Sequence, residues 1–231
     1  KVTGLTLKGV PLYAGVGGER RYAFDPKRMG FQPRIGLAYR IAPKWVLRAV
    51  VNYGVTLEGP CRVRMAFHTP PHWIQELDPA ERGAAEALAD LLTGAGLPTR
   101  RAERIVDHVW RKTILNSAMS PLCAVTGKTM AQALHDPFLY EMTVGLLKEG
   151  IAVARANEIS LGWDYYRYCM DYLDRAGEHK PSMLVDVEKK RRTEVDQING
   201  KIIEYAERSG ADAPYNRMIR ALVKAVESSY R

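Results

Sequence analysis

Cysteine is scarce, and what there is cannot build a cross-linked or metal-bound scaffold. The 231-residue chain has three: Cys61, Cys123 and Cys169, an odd number, far apart, with neither a CxxC pair nor zinc-ligand spacing. A disulfide framework is excluded, and free thiols in a reducing cytosol fit. The five histidines show no paired metal spacing, so no metal is assigned. No apolar run approaches the length that spans a bilayer, and no signal-peptide pattern stands at Lys1. The reading is a cytoplasmic protein with no membrane partner. Internal repeats and low-complexity segments are also missing.

What remains is ordinary for a globular protein, with 46% hydrophobic and 26% charged residues. The length allows one large domain or two small ones and a substantial core. The formal net charge is +8, which permits an anionic partner such as a phosphate-bearing cofactor. The basic residues are spread along the chain, so charge names no partner, and nucleic-acid binding ranks last.

The chain changes character near residue 100. Before it, short β-rich runs (Val10–Ala14, Trp45–Val51, Cys61–Phe67) alternate with glycine and proline punctuation such as Gly15–Gly18 and Thr69–Pro71. One helix interrupts them, from Asp78 with Pro79 at its first position to Gly94. After Leu97–Pro98 nearly everything reads as helix. Asp136–Pro137 caps a helix over Phe138–Asn157, and an aromatic-rich helix covers Trp163–Ala176. Pro181 opens another. Thr193 reads as the N-cap of the next, with Asp196 as a weak capping box. The last runs from Tyr215 to Tyr230. The organisation is an α/β portion followed by an all-helical domain.

The segment Trp110–Pro121 carries most of the chemistry. In a helix Lys112, Asn116 and Ser120 stand at i, i+4 and i+8, on one stripe. The other surfaces are largely apolar, through Ile105, Val106, Val109, Trp110, Ile114, Leu115, Ala118 and Met119. A lone lysine on a helix is usually solvated, and Ser120 before Pro121 could be an ordinary helix-end residue. Taken together, a cation, an amide and a hydroxyl on one apolar helix suit a pocket wall.

A second constellation spans Lys180–Glu188 and Arg191–Gly200. Ser182 falls in a first helical turn, where hydroxyls and backbone N–H groups suit a carboxylate or simply a cap. Glu194 follows the Thr193 cap, where the helix dipole favours an acid in any case. Gly200 inside a helical pattern costs about 1 kcal/mol against alanine, so another element should pack closely there. The run Lys189–Arg192 reads as a solvated face near a helix C-terminus. The aromatic cluster Trp163, Tyr165, Tyr166, Tyr168 and Tyr172 reads as helical core with polar tips.

Three segments in this order and spacing, Val109–Asn116 with Ser120–Leu122, Pro181–Asp186 and Thr193–Gly200, resemble the ketopantoate reductase (2-dehydropantoate 2-reductase) family. Ala49–Gly54 and Leu57–Pro60 extend the resemblance, which covers roughly residues 45 to 231. It implies a partial Rossmann-like α/β NADP-binding domain over 1–101. An all-helical C-terminal domain of the 6-phosphogluconate dehydrogenase C-terminal-like kind then covers 102–231. It also implies NADPH-dependent reduction of a 2-keto acid, 2-ketopantoate to pantoate, in pantothenate and coenzyme A biosynthesis, and it allows a homodimer. Carried over by position, Lys112 is the proton donor to the ketone oxygen and Glu194 holds Lys112 and the cofactor end of the site. Asn116, Ser120 and Ser182 contact substrate.

The chain departs from the family pattern in several places. Ser120 replaces a more usual asparagine, with shorter reach and fewer donors. His179 and Lys180 stand where small polar residues are commoner. A dinucleotide fingerprint needs G-x-G-x-x-G between strand and helix. Gly15–Arg20 supplies only part of it and reads as a turn, Ile35–Gly36 replaces the family's Asn-Gly, and Gly4–Gly9 resembles a later family segment. A parallel sheet stripped of its first elements would expose unpaired edges. The expectation is therefore a native protein with further segments, which intact-mass measurement tests. The alternative is a non-catalytic or ligand-binding relative that has lost the dinucleotide loop.

Overall fold

The computed structural model describes residues 37–42, 45–59 and 62–230, all within one compact unit, Phe31–Arg231. The expected strand at Val10–Ala14, the Gly15–Gly18 turn, Gly4–Gly9, Ile35–Gly36 and Cys61 lie outside the described residues.

Among the described residues six strands come first, with one helix among them. Strands β1 (Leu37–Ala42), β2 (Trp45–Val50), β5 (His72–Glu76) and β6 (Thr99–Arg101) form one sheet in the order β1-β2-β5-β6. Strands β3 (Tyr53–Gly59) and β4 (Arg62–His68) form a separate antiparallel hairpin between β2 and β5 in sequence. The β1–β2 and β2–β5 pairs are antiparallel, and β5 and β6 run parallel. A parallel pair needs a crossover, supplied by a 3₁₀ turn at Pro79–Glu81 and helix α1 (Arg82–Gly94). Asp78 starts it as the sequence indicates, accepting from Ala80 N–H at 3.0 Å with Pro79 next. On β5 the buried positions alternate as His72, Ile74 and Glu76. The buried carboxylate of Glu76 is satisfied by Arg101 on neighbouring β6, whose guanidinium holds it below the usual carboxylate range.

The helices follow as α2 (Ile105–Thr126), α3 (Met130–Leu134), α4 (Pro137–Ala156), α5 (Tyr165–Asp174), α6 (Ser182–Glu188), α7 (Asn199–Ser209) and α8 (Pro214–Ser228). No described helix is long and apolar enough to cross a membrane. Helix α2 is the axis of the core, and its Ile114, Ala118, Met119, Leu122 and Cys123 are buried with Leu146, Leu147, Leu173, Leu184, Ile202 and Ile219. Gly150 of α4 lets the two helices close in, since a Cβ there would lie 3.2 Å from Ile114. Cys123 and Cys169 are buried free thiols.

Three local expectations change. Helix α2 does not end at Pro121 but continues to Thr126, closed by Gly127 in the left-handed conformation. Ser120 is therefore a mid-helix residue. Proline removes the N–H that would bond the Ser117 carbonyl four residues back, and the buried Asn199 amide donates to that carbonyl instead, at 3.1 Å. Thr193 does not cap an α-helix, because α7 starts only at Asn199. Its N–H and hydroxyl both donate to Glu227, each at 2.7 Å. Asp196 is drawn to Arg220 and Lys224, so the capping pair never closes. Trp163 is 97% exposed and leaves the aromatic core. The remaining cluster is anchored by buried Tyr165, whose hydroxyl donates to the Arg111 carbonyl. At Gly200 the crossing group is the Arg220 side chain of α8, 3.4 Å from the Cβ position.

Candidate active site

Helix α2 runs uninterrupted from residue 105 to 126, so Lys112, Asn116 and Ser120 do share one stripe. Lys112 and Asn116 are half-buried and Ser120 is buried. The Lys112 ammonium donates to the Val51 carbonyl, just past the end of β2. Burial lowers its pKa from 10.5 to about 8, against the upward pull of the Glu194 carboxylate. Glu194 in turn accepts a hydrogen bond from Ser182 Oγ at 3.1 Å. Ser182 opens α6, and Glu194 stands in the turn before α7. The chain between them is pinned by Arg191 on buried Asp186 at 2.5 Å and by Glu227 on Thr193. Of the basic run, Lys189, Lys190 and Arg192 are exposed.

Three of the five sequence-derived residues thus form one connected group, with a fourth beside it on the same stripe. Lys112 feels Glu194, Glu194 holds Ser182, and Asn116 continues the stripe from Lys112. Ser120, the fifth, stands one further turn along. Neither the Asn116 amide nor the Ser120 hydroxyl makes a hydrogen bond among the described residues, so both keep their donors and acceptors for another molecule. Lys180 is occupied by Glu188 at 2.5 Å, and His179 is anchored through its carbonyl to Met130 N–H at 3.0 Å.

The sequence reading missed the strand side of the site. The Val51 carbonyl is a main-chain group and leaves no mark in a residue pattern. His68 and His72 were read as scattered. Strand β4 ends on His68 and β5 begins on His72, with Thr69–Pro71 turning the chain between them, and their Nε2 atoms meet at 3.1 Å. The spacing His-x-x-x-His across a Thr-Pro-Pro turn was the available signal. Among the described residues no three His, Cys, Asp or Glu side chains gather as a metal site.

A short mixed sheet joined to a seven-helix array, with a half-buried ammonium and carboxylate on two of its segments, defines the class. This is an α/β plus all-α protein, a short partial sheet followed by a helical C-terminal part. The model for the ketopantoate reductase PanE/ApbA C-terminal domain matches residues 104–227, and the chain belongs to the ketopantoate reductase family. It is 37% identical over 143 residues to a 2-dehydropantoate 2-reductase of Pyrococcus horikoshii, covering 62% of this chain and 48% of that protein. The crystal structure of a ketopantoate reductase from Ralstonia eutropha superposes with a TM-score of 0.71 at 25% identity, covering 80% of this chain and 60% of that one. A D-mandelate dehydrogenase bound to NADH and anilino(oxo)acetate gives 0.70 at 30% identity, with 79% and 60% covered. The chain therefore spans only about half to three-fifths of the length of these relatives.

Proposed function

We propose that this chain binds a 2-keto acid and protonates it in an NADPH-dependent reduction, with 2-ketopantoate as substrate and pantoate as product. The observation that carries the reading is the Lys112 ammonium. It is half-buried, its pKa is drawn down to about 8, and it stands on a stripe with two polar side chains that bond nothing else described. Addition at a ketone carbon leaves negative charge on oxygen, and a positioned ammonium both stabilises that charge and donates the proton. Glu194 keeps the ammonium charged against the pull of burial, and Ser182 orients Glu194. Asn116 and Ser120 are the substrate-orienting groups. We place the division between the cofactor-binding and helical parts at 101/102 and include a homodimer in the same proposal.

NADPH, when bound, would supply the hydride, and Glu194 is the residue of this site that would meet the cofactor. Among the described residues no glycine-rich turn joins a strand to a helix, so the pyrophosphate cradle is not among them. The roles assigned here are confined to substrate and proton. A second reading keeps the chemistry and changes the acid, and it rests on the D-mandelate dehydrogenase likeness.

The purified full-length protein should consume NADPH in proportion to added 2-ketopantoate. Preference for an aryl 2-keto acid with NADH would favour the second reading. Neither turnover nor NADPH binding would leave the non-catalytic alternative. A finer test is Glu194→Gln. Turnover should fall as the pH rises through the Lys112 pKa near 8, because the donor is then lost. Removing the carboxylate removes the upward pull, so this alkaline limb should move to lower pH. A limb that stays in place would separate Glu194 from Lys112.

A further inference from the structure

The carbonyl that holds Lys112 is half of a peptide group whose other half is held by a histidine. Val51 C=O and Asn52 N–H belong to one peptide plane. Lys112 Nζ donates to its oxygen, and its N–H donates to His72 Nδ1 at 3.0 Å. A backbone N–H can only donate, so Nδ1 is bare and the neutral imidazole carries its proton on Nε2. That proton points at His68 Nε2, 3.1 Å away. The four groups form a one-way chain: Lys112 to the Val51–Asn52 peptide, to His72, to His68. Asn52 is tied down beside it, its carbonyl accepting from Thr69 N–H at 2.8 Å and its amide donating to the Pro71 carbonyl at 3.1 Å.

We propose that His72 is a positioning residue for the Lys112 ammonium, acting through the shared peptide. A peptide plane with both ends bonded cannot rotate about its long axis, so fixing the N–H fixes where the carbonyl points. An acceptor on the N–H also enriches the carbonyl oxygen, because bonds in such chains polarise one another. His72 is buried against β2 and β6, with its backbone N–H on the Pro98 carbonyl at 2.8 Å. The titratable groups facing it are His68 of β4, Lys112 of α2 and Tyr53 of β3, whose ring lies edge-on at 5.5 Å. Burial first, then His68 and Lys112 beside it, hold His72 below its ordinary 6.5, which keeps it an acceptor at neutral pH. Protonation would place two N–H groups face to face and release the peptide.

This inference rests on Lys112 as the proton donor, and its test is chosen to stand apart from that reading. In the full-length protein, lysine modification by an amine-reactive reagent, followed across pH by mass spectrometry of the Lys112 peptide, reports the Lys112 pKa without any turnover. His72→Phe keeps a flat ring and removes the acceptor. Lys112 then loses the bond that favours its charged form, so its midpoint should fall below about 8. kcat should drop about tenfold or more with little change in KM. His72→Asn places an amide oxygen near the Nδ1 position and should restore most of both, while removing the acid-side limb that His72 imposes on kcat. An unchanged Lys112 midpoint in folded His72→Phe would overturn the proposal. So would an Asn variant as impaired as the Phe variant. A wild-type protein without keto acid turnover would instead remove the functional reading and leave the labelling result to judge the positioning.

Discussion

Lys112→Ala should lower kcat for keto acid reduction by about 10²–10⁴-fold, the range for a lost general acid, while binding of the keto acid weakens far less. The ammonium contributes when charge appears on the ketone oxygen, so its loss falls on the chemical step. The wild-type profile should decline above about pH 8 as Lys112 loses its proton, a limb separate from the acid-side one that His72 imposes below its ordinary 6.5. The variant's residual rate should lack the alkaline limb. The same residue makes an opposite prediction for stability. Its folded pKa, about 8, lies below its ordinary 10.5. Between those values the unfolded chain binds the extra proton, so stability rises with pH across that window. At neutral pH the fold carries a half-buried charge, and Lys112→Met should be neutral or stabilising while inactive. Loss of activity with retained or increased melting temperature distinguishes a catalytic lysine from a structural one. Turnover surviving Lys112→Ala unchanged would remove the assigned mechanism.

The helical half was legible because its signals are local. Asp136–Pro137 announces α4, and Asp136 does cap it, accepting from Phe138 and Leu139 N–H. A 3.6-residue period is enough to put Lys112, Asn116 and Ser120 in line. The Thr193 cap misled because its hydroxyl oxygen does accept from Val195 N–H, at 3.3 Å, while donating to Glu227, 34 residues away, yet the turn it opens is not the start of α7, which begins at Asn199. A local cap signal does not say how far the helix after it will run. Helix α8 illustrates the converse, since it has no cap of its own. Glu149 of α4 reaches across to accept from Tyr215 and Asn216 N–H, at 2.7 and 3.0 Å, satisfying orphan donors and facing the positive end of the helix dipole. The strand side of the site was illegible for a different reason. A carbonyl and a peptide N–H are present in every residue, and only the β2–β5 pairing brings Asn52 to His72.

The second large effect is expected at Asn199, which repairs the gap that Pro121 leaves in α2. Its amide is fully buried and donates both to the Ser117 carbonyl and to Asn216 Oδ1, at 3.1 and 3.0 Å. Asn216 passes the chain on to Glu149, at 2.8 Å. Asn199→Leu would strand the Ser117 carbonyl and the Asn216 oxygen away from water. At about 1–3 kcal/mol for each unsatisfied buried group, the loss should reach about 2–5 kcal/mol, a large fraction of a typical domain's stability. Pro121→Ala supplies the missing N–H, four residues on from Ser117, and lifts the penalty proline imposes inside a helix. In that background the Ser117 carbonyl has an intrahelical partner, so Asn199→Leu should cost less by about 1 kcal/mol or more. Denaturant unfolding of the wild type, both single variants and the double variant measures that difference. Strict additivity would mean that Asn199 does not answer the proline. A smaller cost in the alanine background ties the asparagine of α7 to a proline one residue beyond Ser120, and so links the stability of the array to the geometry of its candidate site.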